Sequence, residues 1–411
     1  MATRTWTGLG GNNNWSTSAN WDAAIAPGDD LHFAGTTRLA PNNDTTADTS
    51  YNSITFDANA GLFVIGGNRI TLTGNIICRA TGFEPTINLN IILNVATCTM
   101  DDPNNDAQNM HINGIISETG GSRSITKNGN FSVLMGVDNV ALVNTYSGGT
   151  VITKGTVFGS QQNNSIFGTG PILIASTGGV RFRNQTISNS IIATGGVITF
   201  DNGTASNVTG SLSNSGSLTI YTLFTTNTFS GPISGSGTFN LIDIGSGNLS
   251  FSGTNTFTGT VNLSCHLSAG STQAFGSGAT FVLDNAANTE LNITGFNNSI
   301  GSIAGGGAAG GNVVLGAATL TIGGNNTSTT YDGVISGTGG VTKSGTGTFT
   351  LSRANTYTGA TTINAGNLSV TGSLASGSAA TVNTTGKLSG TGTVSGTTSV
   401  AAGGKLGAGI Q

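Results

Sequence analysis

The chain has 411 residues with 66 Gly and 6 Pro, and its 13 Lys+Arg against 17 Asp+Glu leave a formal net charge of −4. Only 7% of residues are charged, against roughly 25% in ordinary soluble domains, so Asn, Thr and Ser must supply solubility. That excludes a mainly helical protein and, without a Gly-X-Y period, collagen. It also excludes a nucleic-acid binder with a basic stripe, and no apolar run approaches the ~18 residues of a helix inserted in a membrane.

Residues 1–50 hold all three tryptophans, Trp6, Trp15 and Trp21. Aromatics gathered at one end predict a cap over the first coil of a repetitive β structure, since terminal repeats must cover an open core. The other reading of these indoles is a patch that stacks on sugar rings. The opening Met-Ala-Thr-Arg-Thr-Trp lacks the charged and apolar regions of a secretory signal.

Residues 51–110 alternate apolar and polar side chains, as in Ser53–Phe56 and Thr86–Leu93, with Gly and Asn between the runs. This is the pattern of short, half-buried strands separated by tight corners. Cys78 and Cys98 stand 20 residues apart and fall on adjacent coils if one coil is about that long. Buried small hydrophobes are the plainer reading, and spacing alone leaves their pairing open.

Residues 111–411 bear an internal repeat. Its first half appears from Gly114, Gly231 and Gly333, the last as GVISGTGGVTKSGTGTFTLS. Its second half appears as NTYSGGTVITKGTVF from Asn144, NTFSG from Asn227, NTFTGTVNL from Asn255 and NTYTGATTINAGNLSV from Asn355. Near the end Val382, Leu388, Val394, Val400 and Leu406 fall six residues apart, which predicts three short faces per coil of about 18 residues with all five side chains inside. Asn at equivalent corners should form ladders, amide on amide. The final Gly-Lys-Leu-Gly-Ala-Gly-Ile-Gln has no closing segment, so the last coil is expected to meet further coils, a membrane-barrel module or another copy of the chain.

The stretch from Ile335 to Val370 resembles the autotransporter-associated β-strand repeat of bacterial surface-protein passengers, with weaker copies at 114–158 and 231–263. The resemblance implies a right-handed parallel β-helix (a β-solenoid) and display on a cell surface as a stalk or adhesin. It brings no catalytic residue. The opening segment, through its Trp residues to Pro27-Gly28-Asp29-Asp30, is also similar to tail-fibre-like phage proteins, which implies a virion filament instead.

Because β-helices also host polysaccharide-cleaving enzymes, the acidic residues need inspection. The one cluster is Asp101-Asp102-Pro103-Asn104-Asn105-Asp106. Asp101, Asp102 and Asp106 are a candidate Ca²⁺ set, but the run lacks a regular ligand order and reads more plainly as a solvated turn. His32, His111 and His266 have no second histidine at ligand spacing, and no cofactor motif is present. Cys265 and His266 adjoin, so on a strand they point to opposite faces. Arg181 and Arg183 share one strand face and are, with the tryptophans, the candidate glycan contacts. The expected protein is a non-enzymatic, structural or adhesive β-solenoid, extracellular or, failing that, part of a virion.

Overall fold

The computed structural model describes the whole chain except residues 106–107, 137–141, 160–164, 202, 408 and 411. Among the described residues the secondary structure is β-strand throughout, apart from one helical turn at Ser18–Asn20. The chain divides into two compact units, Met1–Ser206 and Asn207–Gln411, and each is a parallel β-solenoid.

In the first unit the strands Thr3–Trp6, Asp30–Phe33, Ser53–Phe56 and Ile76–Cys78 pair in parallel, each roughly one coil further along the chain. A second face stacks Thr49–Tyr51, Ile70–Leu72, Ile91–Leu93 and Ile116–Glu118. A third stacks Val64–Gly67, Thr86–Ile87, Met110–Ile112 and Ser132–Met135. On most of these strands every second side chain is buried, as in the buried Leu31 and Phe33 flanking half-exposed His32; Ser53–Phe56 is buried throughout. Pairing in register then sets like on like, Phe33 on Phe56 and Ile91 on Ile70. The long strand Thr150–Gly159 serves two faces at once, pairing first with Ser124–Lys127 and then with Ser132–Met135. It turns at Gly155, whose φ of +71° is costly for a residue with a Cβ.

The second unit repeats the plan. Leu241, Leu263 and Leu283 lie in register on one face, and Leu249, Leu267 and Leu291 on the next. The long strand Thr361–Val370 pairs with Val341–Lys343 and Thr348–Leu351 and turns at Gly366, φ +66°. Asn side chains bond between coils, but here on a strand face and not at a corner: Asn262 donates to Asn240 Oδ1 at 2.8 Å, and Asn240 donates to Ser217 Oγ at 3.1 Å. In the first unit Asn113 donates to Asn88 Oδ1 at 3.0 Å just beyond the strand ends, where the ladder is expected.

The expectations of the sequence meet two corrections and one open question finds its answer. The indoles of Trp6, Trp15 and Trp21 are 1%, 0% and 4% exposed. They pack edge to face and onto Phe33 with centroids 5.2–6.4 Å apart, so they form the core of the first coil and offer no open ring to a glycan. Second, the six-residue period is buried only in part. Val382 and Leu388 are inside, Val394 is half-buried, and Val400 and Leu406 are exposed. Val400 and Leu406 pair onto Val382 and Leu388 from one side, 18 residues on, and among the described residues no later strand covers their other side. The open question is cysteine pairing: Cys78, Cys98 and Cys265 are all buried and free. Met100 pairs with Ile76, which sets Cys98 two positions before Ile76 and Cys78 two positions after it. Four positions are about 13 Å at the rise of a strand, too far for a disulfide.

Candidate functional site

The residues shared by the repeat copies do structural chemistry inside the coils. Asn144, Asn255 and Asn355 are 2%, 6% and 3% exposed. Each accepts, on Oδ1, a backbone N–H from the coil below, those of Ile116, Ile233 and Ile335 at 2.8, 2.7 and 2.9 Å. Asn144 and Asn255 each donate Nδ2 to a carbonyl of the coil above, Ile166 O and Ala274 O, both at 2.6 Å. Asn355 donates to Arg353 O at 2.9 Å and Ser373 O at 3.5 Å. One amide thus ties neighbouring coils together at a corner where the strand ladder is interrupted, satisfying buried backbone groups that would otherwise be costly.

Two residues after each of these Asn stands an aromatic ring, and four after that a small partner. Tyr146 OH lies 2.7 Å from Thr150 Oγ1, and Tyr357 OH lies 2.6 Å from Thr361 Oγ1. In the middle copy the two positions are Phe257 and Val261, both buried. Both hydroxyls are absent together.

Two lysines are buried as well, Lys127 at 0% and Lys343 at 1% exposure. Lys127 Nζ donates to the carbonyls of Asn128, Gly129 and Lys154 at 2.7, 2.8 and 3.2 Å. Lys343 Nζ does the same to Ser344, Gly345 and Ala365 at 2.5, 2.8 and 3.3 Å. Lys127 also sits 3.7 Å from the centroid of Phe131. Burial pushes its pKa down to about 7, opposed by the charges of Asp101 and Asp102; burial lowers that of Lys343 too. A Thr-Lys-x-Gly string marks both lysines in the sequence, at Thr126 and Thr342. It was the available signal for these cages, and composition alone does not reveal it.

The remaining candidates are scattered. Asp101 accepts a bond from Asn128 Nδ2 at 2.9 Å, and Asp102, 1% exposed, accepts one from Asn104 N at 3.2 Å. Asp102 is therefore the buried start of an exposed turn, near Lys127, the basic neighbour that the sequence did not suggest. Asp106 lies outside the described residues. Among the described residues no three His, Cys, Asp or Glu side chains group as a metal site. Arg181 and Arg183 do share a face, and both bind one carboxylate, Asp201, at 2.9 and 2.6 Å while covering the Phe158 ring. His32, His111 and His266 each pair with an acid about one coil away, Asp57, Glu84 and Glu290, at 3.2, 3.0 and 3.3 Å. Cys265 is buried and His266 half-exposed, on opposite faces as expected.

These buried Asn and aromatic positions coincide with segments recognised in other proteins. The passenger-associated-transport-repeat matches residues 141–157, 241–264 and 341–370, and each match contains one Asn staple and the aromatic that follows it. The chain carries autotransporter passenger repeats. It is also 42% identical over 188 residues to the adhesin BmaC autotransporter of Brucella suis biovar 1 (strain 1330). That alignment covers 44% of this chain and 5% of the relative, so the chain matches a small part of a much longer protein. No solved structure matches. Neither match supports the similarity of the opening segment to tail-fibre-like proteins.

Proposed function

We propose that this chain is an adhesive, non-catalytic segment of an autotransporter passenger, displayed on a bacterial surface as part of a longer protein. The observation that carries the reading is the coincidence of the three passenger repeats with the Asn staples that tie the coils together. The likeness to a protein named as an autotransporter adhesin supports it. In this reading the repeats build a stiff scaffold from bonds internal to the coils, and the exposed corners make the contacts. Further coils and a membrane-barrel module in the parent protein complete and anchor the scaffold, and Arg181, the more exposed of the two arginines on Asp201, is the one in reach of a glycan.

Beads coated with the purified chain, applied to host cells and matrix proteins, test the adhesive role. Saturable attachment above that of beads bearing an unrelated protein is expected, and attachment equal to the control overturns it. Antibody labelling of intact producing cells is expected and tests display. Release of reducing ends from any polysaccharide incubated with the chain would show an enzyme instead.

A further inference from the structure

One corner of the second unit is cut short, and the cut makes a slot. Seven residues (242–248) separate Leu241 from Leu249, and seven (284–290) separate Leu283 from Leu291. On the coil between them only three residues, Ser264, Cys265 and His266, join Leu263 to Leu267. The three coils are in register on both sides of the corner. The middle coil therefore lacks four residues that its neighbours project outward. A gap the width of one strand, about 4.8 Å, opens between two projecting corners, with the short corner as its floor.

The resulting depression encloses about 290 Å³ and is lined by Asp243, Asn248, His266, Asn288 and Glu290, among others. Asp243 Oδ1 is held by the backbone N–H groups of Gly245 and Gly247 at 2.8 and 2.9 Å. Glu290 Oε1 is held by Asn292 Nδ2 at 2.9 Å and lies 3.3 Å from His266 Nδ1. The walls thus present fixed carboxylates and amides.

Across the 242–248 corner, toward the preceding coil, a second feature stands out. Phe224 is 59% exposed and Ile244 51% exposed. Phe224 has φ +52°, a left-handed conformation that is an outlier for a bulky side chain, and the strand shifts register just before it. Its ring lies over Gly245, where an added Cβ would come within 3.2 Å of the ring. Strain that holds an aromatic ring out in water is the kind of outlier that clusters at binding sites.

The geometry points to a saccharide-binding slot at this corner, for a neutral or amino-bearing hexose unit of a glycan. One hexose places its hydroxyl or ammonium groups against Asp243, Asn288 and Glu290 in the slot, and the neighbouring unit of the glycan carries its apolar C–H face across the 242–248 corner to Phe224 and Ile244. Carboxylates accept strong hydrogen bonds from such donors and repel uronate or sialylated glycans. This rests on the adhesive reading and names the ligand class of one site within it.

The test is a glycan array probed with the purified 411-residue chain, followed by titration of the best sugar. Binding to neutral or amino sugars is expected, unchanged by EDTA. Glu290→Gln and Phe224→Ala should each weaken it at least tenfold. Phe224→Gly relieves the left-handed strain, so it should weaken binding equally while raising or preserving the melting temperature. Inserting four residues between Ser264 and Cys265, to match the neighbouring corners, should abolish binding with the fold retained by circular dichroism. Preference for acidic glycans, loss of binding in EDTA, or full binding by the folded Phe224→Gly and Glu290→Gln variants overturns the slot. An empty array from a chain that still attaches to cells also overturns it and leaves the adhesive reading standing.

Discussion

The hydroxyl of Tyr357 lies 2.6 Å from Oγ1 of Thr361, four residues along the chain and inside the core. Thr361 Oγ1 is in turn 2.7 Å from Ser378 Oγ on the next coil. Tyr146 and Thr150 make the same pair, while Phe257 and Val261 occupy the two positions with neither hydroxyl. The physical reason is that a buried hydroxyl without a partner costs about 1–3 kcal/mol, whereas removing both partners is nearly neutral.

The two positions are therefore expected to be coupled. Thr361→Val alone removes the partner shared by the Tyr357 and Ser378 hydroxyls, leaving them only each other, and should destabilise the second unit by about 1 kcal/mol. Adding Tyr357→Phe should recover part of that loss, with a coupling energy of about 1 kcal/mol by denaturant titration of the four variants. Strict additivity would show that the two hydroxyls do not act as a pair.

The solenoid was legible in the sequence because its two signals are local. Alternation such as Leu31-His32-Phe33 marks a face, and Gly and Asn mark a corner. The Tyr/Thr exchange for Phe/Val was visible too, as NTYSGGT, NTFTGTV and NTYTGAT, but its meaning needs the spatial contact. What sequence could not show is which corner is short relative to its neighbours, because the slot at Ser264–His266 exists only once Leu241, Leu263 and Leu283 are in register. Nor does hydrophobic period alone tell inside from outside. Val382 and Val400 carry the same side chain in the same frame, and only the coil stacked above decides that the first is buried.

Gly366 and Gly28 separate two costs of a side chain. Both have positive φ, +66° and +87°. A Cβ on Gly28 meets nothing within 4 Å, but on Gly366 it would lie 2.5 Å from Gly345 O. Gly28→Ala should then lose only the conformational term, about 1–2 kcal/mol, and Gly366→Ala clearly more. Equal losses in thermal melts would mean that coil spacing adapts freely at this corner.

Burial pushes the thiols of Cys78, Cys98 and Cys265 up to about 11, 12 and 12. The thiolate is the reactive form, so iodoacetamide at pH 8 should leave the folded chain unmodified and label three thiols in denaturant. Mass spectrometry reads the count directly. Labelling of only one thiol in denaturant without reductant would reveal a disulfide between two of the three.

The lysine cages make stability depend on pH with a definite sign. A lysine in the unfolded chain titrates near 10.4, whereas Lys127 in its cage is held down at about 7 and Lys343 is lowered as well. Between those values the unfolded state binds more protons than the folded one. Their contribution to stability therefore rises as pH increases above about 7, and below the folded value both states carry the proton and the slope from Lys127 vanishes. Nearer the ordinary thiol pKa of about 8.5, ionisation of the three thiols in the unfolded chain opposes this slope. Between pH 7 and about 7.7 they remain largely protonated, so Lys127 dominates it. Urea titrations of the wild-type chain over that window should show increasing stability. Lys127→Met should flatten the part belonging to the first unit, even though it leaves the carbonyls of Asn128, Gly129 and Lys154 without their shared donor. An unchanged slope in Lys127→Met would mean that the ammonium stays fully charged in its cage of three carbonyls across this range.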